Sequence, residues 1–392
     1  MTPTQRTTSV RFSALVLAVG LLTATWAGQA GAQPASGSAR YIVVLKGAPN
    51  GSSQAASDQG NRYGFKTERV YKHALNGYSA TLTESQVARL RSDPSVAYVE
   101  ADGVVTASTT QTAPPWGLDR IDQRSLPVSG TYTYTNTGAG VKAYVIDTGI
   151  RLSHAQFGGR AITGFDAVTS GGTAADCNGH GTHVAGTIGG STYGVAKAVT
   201  LVAVRVLGCN GSGSYSGVIA GVDWVTGNHG AGQPAVANMS LGGPTSSALD
   251  TAVRNSIADG VAYAIAAGNG NQGGAPVNAC KSSPARVGEA MTISATQSND
   301  FRASWANIGN CVDWFAPGVG ILSAWYSSDS ATSTISGTSM ATPHTAGVAA
   351  LYLQSSPGAS PASVRTALYN LTTKDVVLNS KTANDHLLYT NL

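Results

Sequence analysis

Three short segments of the sequence supply an acid, an imidazole and a hydroxyl in the order Asp, His, Ser. A serine hydroxyl becomes a strong nucleophile only when a base takes its proton, and that base needs a third group to fix its tautomer. The sequence therefore predicts nucleophilic catalysis by Ser339, with His180 as the base and Asp147 as the acid. The segments are Asp147-Thr148-Gly149, His180-Gly181-Thr182-His183 and Gly337-Thr338-Ser339-Met340-Ala341.

Each of the three residues stands at a predicted boundary between structural elements. Asp147 ends an apolar strand run, His180 opens a helix, and Ser339 begins a long apolar helix that runs toward Gln354. A helix N-terminus at Ser339 would favour a developing oxyanion. Taken singly, such residues are more often turn residues, loop histidines or helix caps. Three of them at element boundaries of one sheet favour a single catalytic site.

Asn269 follows another predicted strand, within Ala266-Ala267-Gly268-Asn269-Gly270. Residues 268–273 match the glycine pattern of dinucleotide-binding loops, but Pro276 follows and no apolar helix does, so a phosphate site is not expected. A simple turn residue is the alternative. An amide donor beyond a strand end suits an oxyanion hole, where loss of one donor typically costs about 10² to 10³ in rate.

Residues 1–32 are predicted to be a secretory signal peptide. Arg6 and Arg11 precede an apolar stretch from Phe12 to Trp26, and Ala30-Gly31-Ala32 suits signal peptidase. A membrane anchor is the alternative, but the apolar run is shorter than the roughly 18 to 20 residues that span a bilayer. We expect a secreted protein without stable membrane association.

The composition excludes some classes of partner. Charged residues make up 11% of the 392 residues, the formal net charge is +4, and no basic run occurs. Neither nucleic acid nor an anionic membrane surface is therefore indicated. The 48 glycines are typical of a compact chain with many tight turns.

The four cysteines favour disulfides, because an even count in an exported protein rarely leaves free thiols. A zinc site at Cys177, His180 and His183 is the alternative, but it lacks the usual second pair of ligands. Three pairings are possible. Sequential pairs close loops of moderate length, each worth roughly 3 to 4 kcal/mol in the chain-entropy model. The favoured pairs are Cys177 with Cys209 and Cys280 with Cys311.

Residues 40–105 are predicted to form a small α+β unit. Thr83 and Gln86 form a capping box that begins a short helix, which ends before Asp93-Pro94. Residues 106–115 are polar, end in two prolines and lack periodicity, so an exposed, cleavable linker is predicted. The predicted strands of the unit are 41–45, 78–82 and 96–99.

After residue 116, short apolar runs alternate with helical patterns, which predicts an open α/β sheet. Runs that are nearly continuous in apolar residues indicate strands buried on both faces of a parallel sheet. Ligands of such sheets gather beyond the carboxyl ends of the strands, where Asp147 and Asn269 lie. The predicted strands are 141–146, 201–206, 236–239 and 261–266, and the predicted helices are 183–188, 218–225 and 248–259, the last closed by Gly260.

The longer motifs resemble those of the subtilisin-like serine peptidases. They comprise Asp147-Thr148-Gly149, residues 178–186 and residues 337–344. Residues 116–121 and the cysteine spacing resemble the proteinase K branch, most closely its bacterial aqualysin-type enzymes. The resemblance covers nearly the whole chain. It implies a three-layer open parallel sheet with helices on both faces at 116–392, preceded by a ferredoxin-like α+β propeptide that serves as inhibitor and intramolecular chaperone.

This resemblance implies a secreted serine endopeptidase that acts through an acyl-enzyme and cuts its own linker near residues 106–109. Small, apolar pocket residues imply broad specificity with a preference for apolar or aromatic residues before the cleaved bond. The implied partners are protein and peptide substrates and the protein's own propeptide. A monomer without a catalytic cofactor is expected.

The resemblance also assigns site residues. Asp147, His180 and Ser339 would form the triad, with Asn269 as the oxyanion donor. Two edge segments would pair with an extended peptide, and small residues would line the primary pocket. The substrate-binding residues would be Gly211, Ser212 and Gly213 on one edge, Ser240, Leu241 and Gly242 on the other, Tyr215 at the pocket for the fourth residue before the cleaved bond, and Ala266, Ala267 and Gly268 at the primary pocket.

Structural calcium is a further implication of the resemblance, because a group of oxygen-bearing residues corresponds to a calcium loop of bacterial relatives. An ordinary polar loop is the alternative. At a second family site Gln297 stands where proteinase K has an aspartate, and Asp300 lies close by. The residues of the first site are Asp119, Asp122, Gln123, Ser129 and Thr131.

Other functions fit the sequence less well. A catalytically silent binding protein would not need all four chemical residues, and they are intact. An α/β-hydrolase esterase places its serine in G-x-S-x-G and its histidine last, whereas His180 here precedes Ser339 in a different motif. A zinc hydrolase of the H-E-x-x-H type is excluded because that motif does not occur.

Overall fold

The structure is a computed structural model that describes residues 37–47, 51–103 and 109–392. The chain divides into two compact units, Met1–Val105 and Thr106–Leu392. The predicted signal peptide lies outside the described residues, as do residues 106–108 of the predicted linker. Among the helices of the described ranges, none is both long enough and apolar enough to cross a membrane.

The N-terminal unit is a four-stranded antiparallel sheet with two helices. Its elements are β1 (Ala39–Leu45), α1 (Ser52–Tyr63), β2 (Thr67–Tyr71), β3 (Gly77–Leu82), α2 (Glu84–Arg91) and β4 (Val96–Ala101). The strand order is β2-β3-β1-β4. Val43, Tyr78, Leu82 and Leu90 are fully buried in its core. This arrangement is the predicted α+β unit.

The three predicted strands and the predicted helix of this unit are confirmed. At the start of α2 the Thr83 hydroxyl accepts from the Gln86 N–H, and Gln86 Oε1 accepts from the Thr83 N–H at 2.8 Å. Sequence analysis did not predict α1 or β2. Only Ala56 among the buried residues of α1 is an apolar side chain, and β2 is an edge strand without a fully buried residue, so neither carries a strong apolar pattern.

The C-terminal unit is built on a seven-stranded parallel sheet of order β13-β12-β11-β10-β7-β9-β8. Its elements are β5 (Thr109–Thr112), α3 (Trp116–Ile121), β6 (Thr131–Tyr134), β7 (Lys142–Asp147), β8 (Ala161–Asp166), α4 (His180–Gly189), β9 (Thr200–Arg205), α5 (Tyr215–Asn228), β10 (Ala235–Met239), α6 (Ser247–Asp259), β11 (Ala262–Ala266), β12 (Met291–Thr296), β13 (Trp314–Pro317), β14 (Ile321–Ala324), β15 (Thr332–Ile335), α7 (Thr338–Ser355) and α8 (Pro361–Leu371).

Both faces of this sheet are covered by helices, which explains the continuous apolar runs. Successive residues of β7 alternate between two cores: Val145 packs with α4 and α7, whereas Tyr144 and Ile146 pack with α5 and α6. A strand buried on both faces needs an apolar residue at nearly every position. The predicted α/β fold with three layers is therefore confirmed.

The structure corrects several predicted boundaries. Helix α4 begins at His180, as predicted for that residue, so the helical segment predicted at 183–188 is only part of it, and α5 runs from Tyr215 to Asn228 rather than from 218 to 225. Strands β8, β12 and β13 were not predicted. Residues 109–112, expected in an irregular linker, instead form β5, which pairs antiparallel with β6. Three of the four residues of β5 are threonines, whose β-branched side chains favour strands.

The fold brings the candidate residues to the carboxyl edge of the large sheet. Strands β11, β10 and β7 are neighbours. Asp147 is the last residue of β7, Ser240 follows β10 and Asn269 lies three residues beyond β11. Helix α7, with Ser339 as its second residue, packs against β10, β11 and β12. Side chains far apart in the chain are thereby collected beyond one set of strand ends.

Candidate active site

Asp147 and His180 form a hydrogen-bonded pair. His180 Nδ1 lies 2.8 Å from Asp147 Oδ1, and the Thr148 N–H donates to the same carboxylate oxygen at 2.7 Å. The Asp147 side chain is fully buried, whereas the His180 side chain is 26% exposed. Because the carboxylate occupies Nδ1, the Nε2 atom is the ring nitrogen left to take a proton from another group.

Burial and the Asp147 carboxylate act in opposite directions on the pKa of His180. Burial alone would lower that pKa, but the charge of Asp147 and its hydrogen bond, with a smaller contribution from Asp176, raise it above its ordinary value. His183 on the same helix differs, because burial lowers its pKa to about 4. Its Nε2 donates to the Ile321 carbonyl at 2.9 Å, so His183 is a neutral residue of the core.

The cysteines form two disulfides, Cys177–Cys209 and Cys280–Cys311, with Cα atoms 4.9 Å and 5.3 Å apart. The sequential pairing is confirmed. A zinc site at Cys177, His180 and His183 is wrong, because the Cys177 sulfur is bonded to Cys209. That bond joins the segment before α4 to the segment after β9.

Ser339 lies in the first turn of α7 beside the end of β10. Its hydroxyl donates to the Ser240 carbonyl at 3.1 Å, and the Ser240 hydroxyl donates to the Ser339 carbonyl at 2.8 Å. Over the described ranges no hydrogen bond joins Ser339 to His180. Catalytic hydrogen bonds are often long or misdirected before substrate binds. A Ser339 nucleophile would have to turn its hydroxyl from Ser240 toward His180.

The Asn269 side chain is anchored by its oxygen. Asn269 Oδ1 accepts from both the N–H and the hydroxyl of Thr338, each at 2.8 Å. Thr338 also holds the neighbouring backbone, since its hydroxyl accepts from the Gly268 N–H at 3.1 Å. With Oδ1 occupied, the Nδ2 donor of Asn269 stays available on the side of Ser339, with which it lines a cavity.

Two adjoining cavities form a cleft at this edge. The larger, about 720 Å³, is lined by His180 and by residues of both expected edge segments. The smaller, about 380 Å³, contains Ser339 and Asn269. All ten expected substrate-binding residues lie in one or both: Gly211, Ser212, Gly213, Tyr215, Ser240, Leu241 and Gly242 in the larger, and Ser240, Leu241, Gly242, Ala266, Ala267 and Gly268 in the smaller.

The cleft also contains Asn307, a residue that sequence analysis missed. Asn307 Nδ2 donates to the Ala267 carbonyl at 2.7 Å, and its Oδ1 accepts from the N–H groups of Gly270 and Val277. Asn307 thus holds the wall of the smaller cavity in place. The sequence around Asn307 contains no motif from which this role could have been predicted. The Tyr215 hydroxyl donates to the Pro244 carbonyl at 2.6 Å and so links the two sides of the larger cavity.

The residues of the expected calcium loop lie together. Asp119 Oδ1 accepts from the Gln123 side chain at 2.6 Å and from the Ser129 N–H at 3.0 Å. The hydroxyls of Ser129 and Thr131 are 2.8 Å apart. A half-turn of the Gln123 amide would present its oxygen rather than its nitrogen to the cluster, so this side chain can serve as an oxygen ligand.

Asp122 provides the observation that fits a cation. Its Oδ2 accepts from the Thr133 N–H at 2.8 Å, but its Oδ1 is buried and has no hydrogen-bond partner among the described residues. Burial, with the charge of Asp119 as a smaller cause, raises the pKa of Asp122 to about 6. A buried carboxylate oxygen without a partner, close to a second carboxylate, suits a hard cation such as Ca²⁺.

The region of the second family calcium site does not fit a cation. Both carboxylate oxygens of Asp300 accept from the buried Arg120 guanidinium, at 2.8 Å and 3.0 Å. Gln297 offers an amide rather than a carboxylate. Because Arg120 already neutralises Asp300, we assign no second cation to this region.

Comparison with known proteins agrees with this geometry. The family model described as the subtilase family of S8 peptidases matches residues 138–387, and that of peptidase inhibitor I9 matches residues 40–108. An extracellular serine proteinase of Thermus sp. (strain Rt41A) is 60% identical over 325 residues, covering 83% of this chain and 78% of the relative. Alkaline serine exoprotease A of Vibrio alginolyticus is 51% identical over 366 residues, covering 89% and 67%.

The fold has a solved counterpart. The crystal structure of a cold-adapted subtilisin-like serine proteinase superposes with a TM-score of 0.68 at 53% sequence identity, covering 72% of this chain and 100% of that one. The chain belongs to the subtilase family. Within that family it is a secreted serine endopeptidase that carries an inhibitor I9 domain ahead of its peptidase domain.

Proposed function

We propose that Asp147, His180 and Ser339 form the catalytic triad of this endopeptidase and that Asn269 donates to the oxyanion. Substrate binding would turn the Ser339 hydroxyl toward His180 Nε2, which removes the proton as the oxygen attacks the scissile carbonyl. Asp147 holds the ring and stabilises the imidazolium. Asn269 Nδ2 and the N-terminus of α7 stabilise the negative charge on the substrate oxygen.

Collapse of the tetrahedral intermediate would then release the amine product. His180 returns its proton to the leaving nitrogen, and the acyl group remains on Ser339. A water molecule activated by His180 hydrolyses this acyl-enzyme in the second half of the reaction. The same three side chains and the same oxyanion donors serve both halves.

The observation that best supports this proposal is the buried Asp147 carboxylate, which is bonded at 2.8 Å to a partly exposed His180. A buried carboxylate is costly unless it is paired. Here its partner is a partly exposed imidazole that lines the larger cavity, which adjoins the cavity that contains Ser339. A purely structural Asp–His pair would not need its histidine to be exposed to a cavity.

Replacement of the proposed nucleophile tests the proposal. Ser339→Ala, expressed without other proteases, should accumulate as an unprocessed, inactive precursor of the predicted full length. Ser330→Ala, at an exposed serine of the same unit, is the matched control and should mature normally. Normal maturation and peptide hydrolysis by Ser339→Ala would contradict the assignment.

We propose broad specificity with a preference for apolar or aromatic side chains before the cleaved bond. The smaller cavity is lined by Ala266, Ala267 and Gly268 and has Val277 and Ala285 nearby, so it offers apolar surface and room for a large side chain. Cleavage of a peptide library should favour such residues at that position. An equal rate for acidic residues there would contradict the proposed preference.

We also propose the order of processing. Residues 1–32 would act as the signal peptide and residues 40–105 as an inhibitor and folding helper, with cleavage within 106–109 of the linker region 106–115 and a monomeric peptidase at 116–392. Support comes from the I9 match at residues 40–108. N-terminal sequencing of the secreted protein tests this directly, because it should begin near residues 106–109.

Structural calcium completes the proposal. Asp119, Asp122, Gln123, Ser129 and Thr131 would hold the ion, whose charge would satisfy the unpartnered Asp122 oxygen. When bound, the ion would crosslink α3 to the segment before β6 and take no part in the chemical step. The proposal therefore concerns stability, and no catalytic cofactor is invoked.

A further inference from the structure

Asp176 lies four residues before His180 and accepts five hydrogen bonds. Its Oδ1 accepts at 2.9 Å from the N–H groups of Asn178 and Gly179 and from the Thr148 hydroxyl. Its Oδ2 accepts from the N–H and the hydroxyl of Thr182, at 3.0 Å and 2.6 Å. One carboxylate thus holds the chain on both sides of His180.

The same network reaches the acid of the proposed triad. Thr148 directly follows Asp147 and donates its N–H to the Asp147 carboxylate at 2.7 Å. The Thr148 hydroxyl donates to Asp176 and accepts from the Gly181 N–H at 2.9 Å. Asp176 and Thr148 therefore connect the end of β7 to the first turn of α4. The segments that carry Asp147 and His180 are joined independently of the bond between those two side chains.

The Asp147 carboxylate receives little other support, although the Asp147 backbone carbonyl accepts from the N–H groups of Val206 and Leu207 at 2.8 Å and 3.2 Å. Its Oδ2 is buried and has no hydrogen-bond partner among the described residues, while its Oδ1 contacts only the Thr148 N–H and His180. The distance between the carboxylate and the imidazole therefore depends on how β7 and α4 are held together. A shift of about 1 Å in such geometry can cost about 10²-fold in rate.

We propose that Asp176 is a positioning residue for the Asp147–His180 pair and that its negative charge stabilises the imidazolium formed during the reaction. This inference rests on the triad assigned above. Among the described residues, the charges that act on His180 are those of Asp147 on β7 and Asp176 before α4, and the remaining titratable neighbour is His183, one turn further along α4. His183 is neutral, so Asp176 is the second negative charge acting on His180.

The alternative is that Asp176 serves only to cap the N-terminus of α4. Two variants distinguish this capping role from the proposed role in positioning and charge stabilisation. Asp176→Asn removes the charge and part of the network. Thr182→Ala removes the 2.6 Å hydrogen bond that the Thr182 hydroxyl donates to the same carboxylate, and with it the acceptor of the Arg151 N–H, but leaves the charge in place. Both are purified as mature enzymes, and kcat, KM and the pH profile of kcat/KM are measured with an apolar peptide substrate.

We expect Asp176→Asn to lower kcat about 10- to 100-fold with little change in KM, and to move the acid limb of the profile to lower pH. Loss of a nearby negative charge makes His180 easier to deprotonate, which gives the direction of that shift. Thr182→Ala should leave the acid limb in place. An acid limb that is the same in both variants would overturn the inference and leave Asp176 as a helix cap.

If Asp176→Asn does not mature, a second pair of variants tests the same inference. Thr148→Val removes the hydroxyl that joins Asp176 to Gly181, whereas Thr148→Ser retains it. We expect kcat to fall in the valine variant and to recover in the serine variant, with KM close to that of the wild type. A valine variant with wild-type kcat would overturn the inference.

Ser339→Ala distinguishes this inference from the proposed function. If that variant is inactive while Asp176→Asn keeps the wild-type profile, the triad stands and only the role of Asp176 fails. If Ser339→Ala retains peptide hydrolysis, the triad itself is contradicted.

Discussion

Asn269 owes its orientation to Thr338 rather than to substrate. The two hydrogen bonds from Thr338 occupy the amide oxygen, so the amide nitrogen remains a donor on the side of the proposed nucleophile. A donor that is fixed before the reaction stabilises charge without the cost of reorganisation. The proposed oxyanion donor and the proposed nucleophile therefore both depend on the first turn of α7, where Thr338 anchors Asn269 and Ser339 is the next residue.

Asn269→Ala should lower kcat by about 10² to 10³ while KM changes little, because the donor would act mainly in the transition state. Steady-state kinetics with a peptide substrate measure both constants. The control is Asn255→Ala, which changes an exposed residue of α6. A loss confined to KM would mean that Asn269 binds substrate rather than the oxyanion.

The pH dependence of activity should reflect the raised pKa of His180. Burial opposes the charged form, but the charge and hydrogen bond of Asp147 together with the charge of Asp176 outweigh it and raise the pKa of His180, so the ring remains protonated to a higher pH than an ordinary histidine. A general base must be neutral. We therefore expect kcat/KM to fall as pH decreases through a midpoint above about 6.5, the ordinary value for histidine. A midpoint well below that value would contradict the pairing with Asp147.

Helices α4 and α7 each bury a neutral histidine. Burial lowers the pKa of both His183 and His344 to about 4. The unfolded chain binds protons on these residues below about pH 6.5, whereas the folded chain does so only near pH 4. Stability is therefore fully present above about pH 6.5 and is lost as pH falls toward 4, by about 3 kcal/mol for each residue.

His344→Gln should flatten this dependence. The wild type and the variant are compared as mature enzymes inactivated with a phosphonyl fluoride, and their free energies of unfolding are measured between pH 7 and pH 4. The wild type should lose more stability over this range than the variant. Equal losses would show that His344 does not contribute to acid sensitivity.

Much of this arrangement could be predicted from the sequence. The motifs at Asp147, His180 and Ser339 and four of the seven strands of the parallel sheet, β7, β9, β10 and β11, follow from local patterns. Asn307 and the Arg120–Asp300 pair could not be predicted, because their partners are distant in the chain and neither forms a motif. Strand β5 was missed because a short threonine-rich segment also suits a polar linker.

Calcium bound at the proposed site between α3 and β6 should stabilise the whole peptidase, so thermal unfolding tests that site. An ion that binds only the folded state raises stability by RT ln(1 + [L]/Kd), about 2.7 kcal/mol at a hundredfold excess over Kd. Addition of calcium to the chelator-treated mature enzyme should raise Tm, and Asp122→Asn should remove most of that rise.

Asp223→Asn, at an exposed position of α5, is the matched control and should keep the full response to calcium. Both variants are measured after inactivation by a phosphonyl fluoride, so that self-digestion does not affect Tm. A calcium response that survives in Asp122→Asn would place the ion elsewhere and leave residues 119–131 as a polar loop.

The most direct test of the proposed triad is to find which side chain a serine-directed phosphonyl fluoride modifies. The reagent forms an oxygen–phosphorus bond with an activated hydroxyl and releases fluoride, and peptide mass mapping locates the adduct. We predict one adduct, on Ser339, formed rapidly in the wild type and far more slowly in His180→Ala. An adduct on another residue, or equal rates in the two proteins, would contradict the assignment of Ser339 as a nucleophile activated by His180.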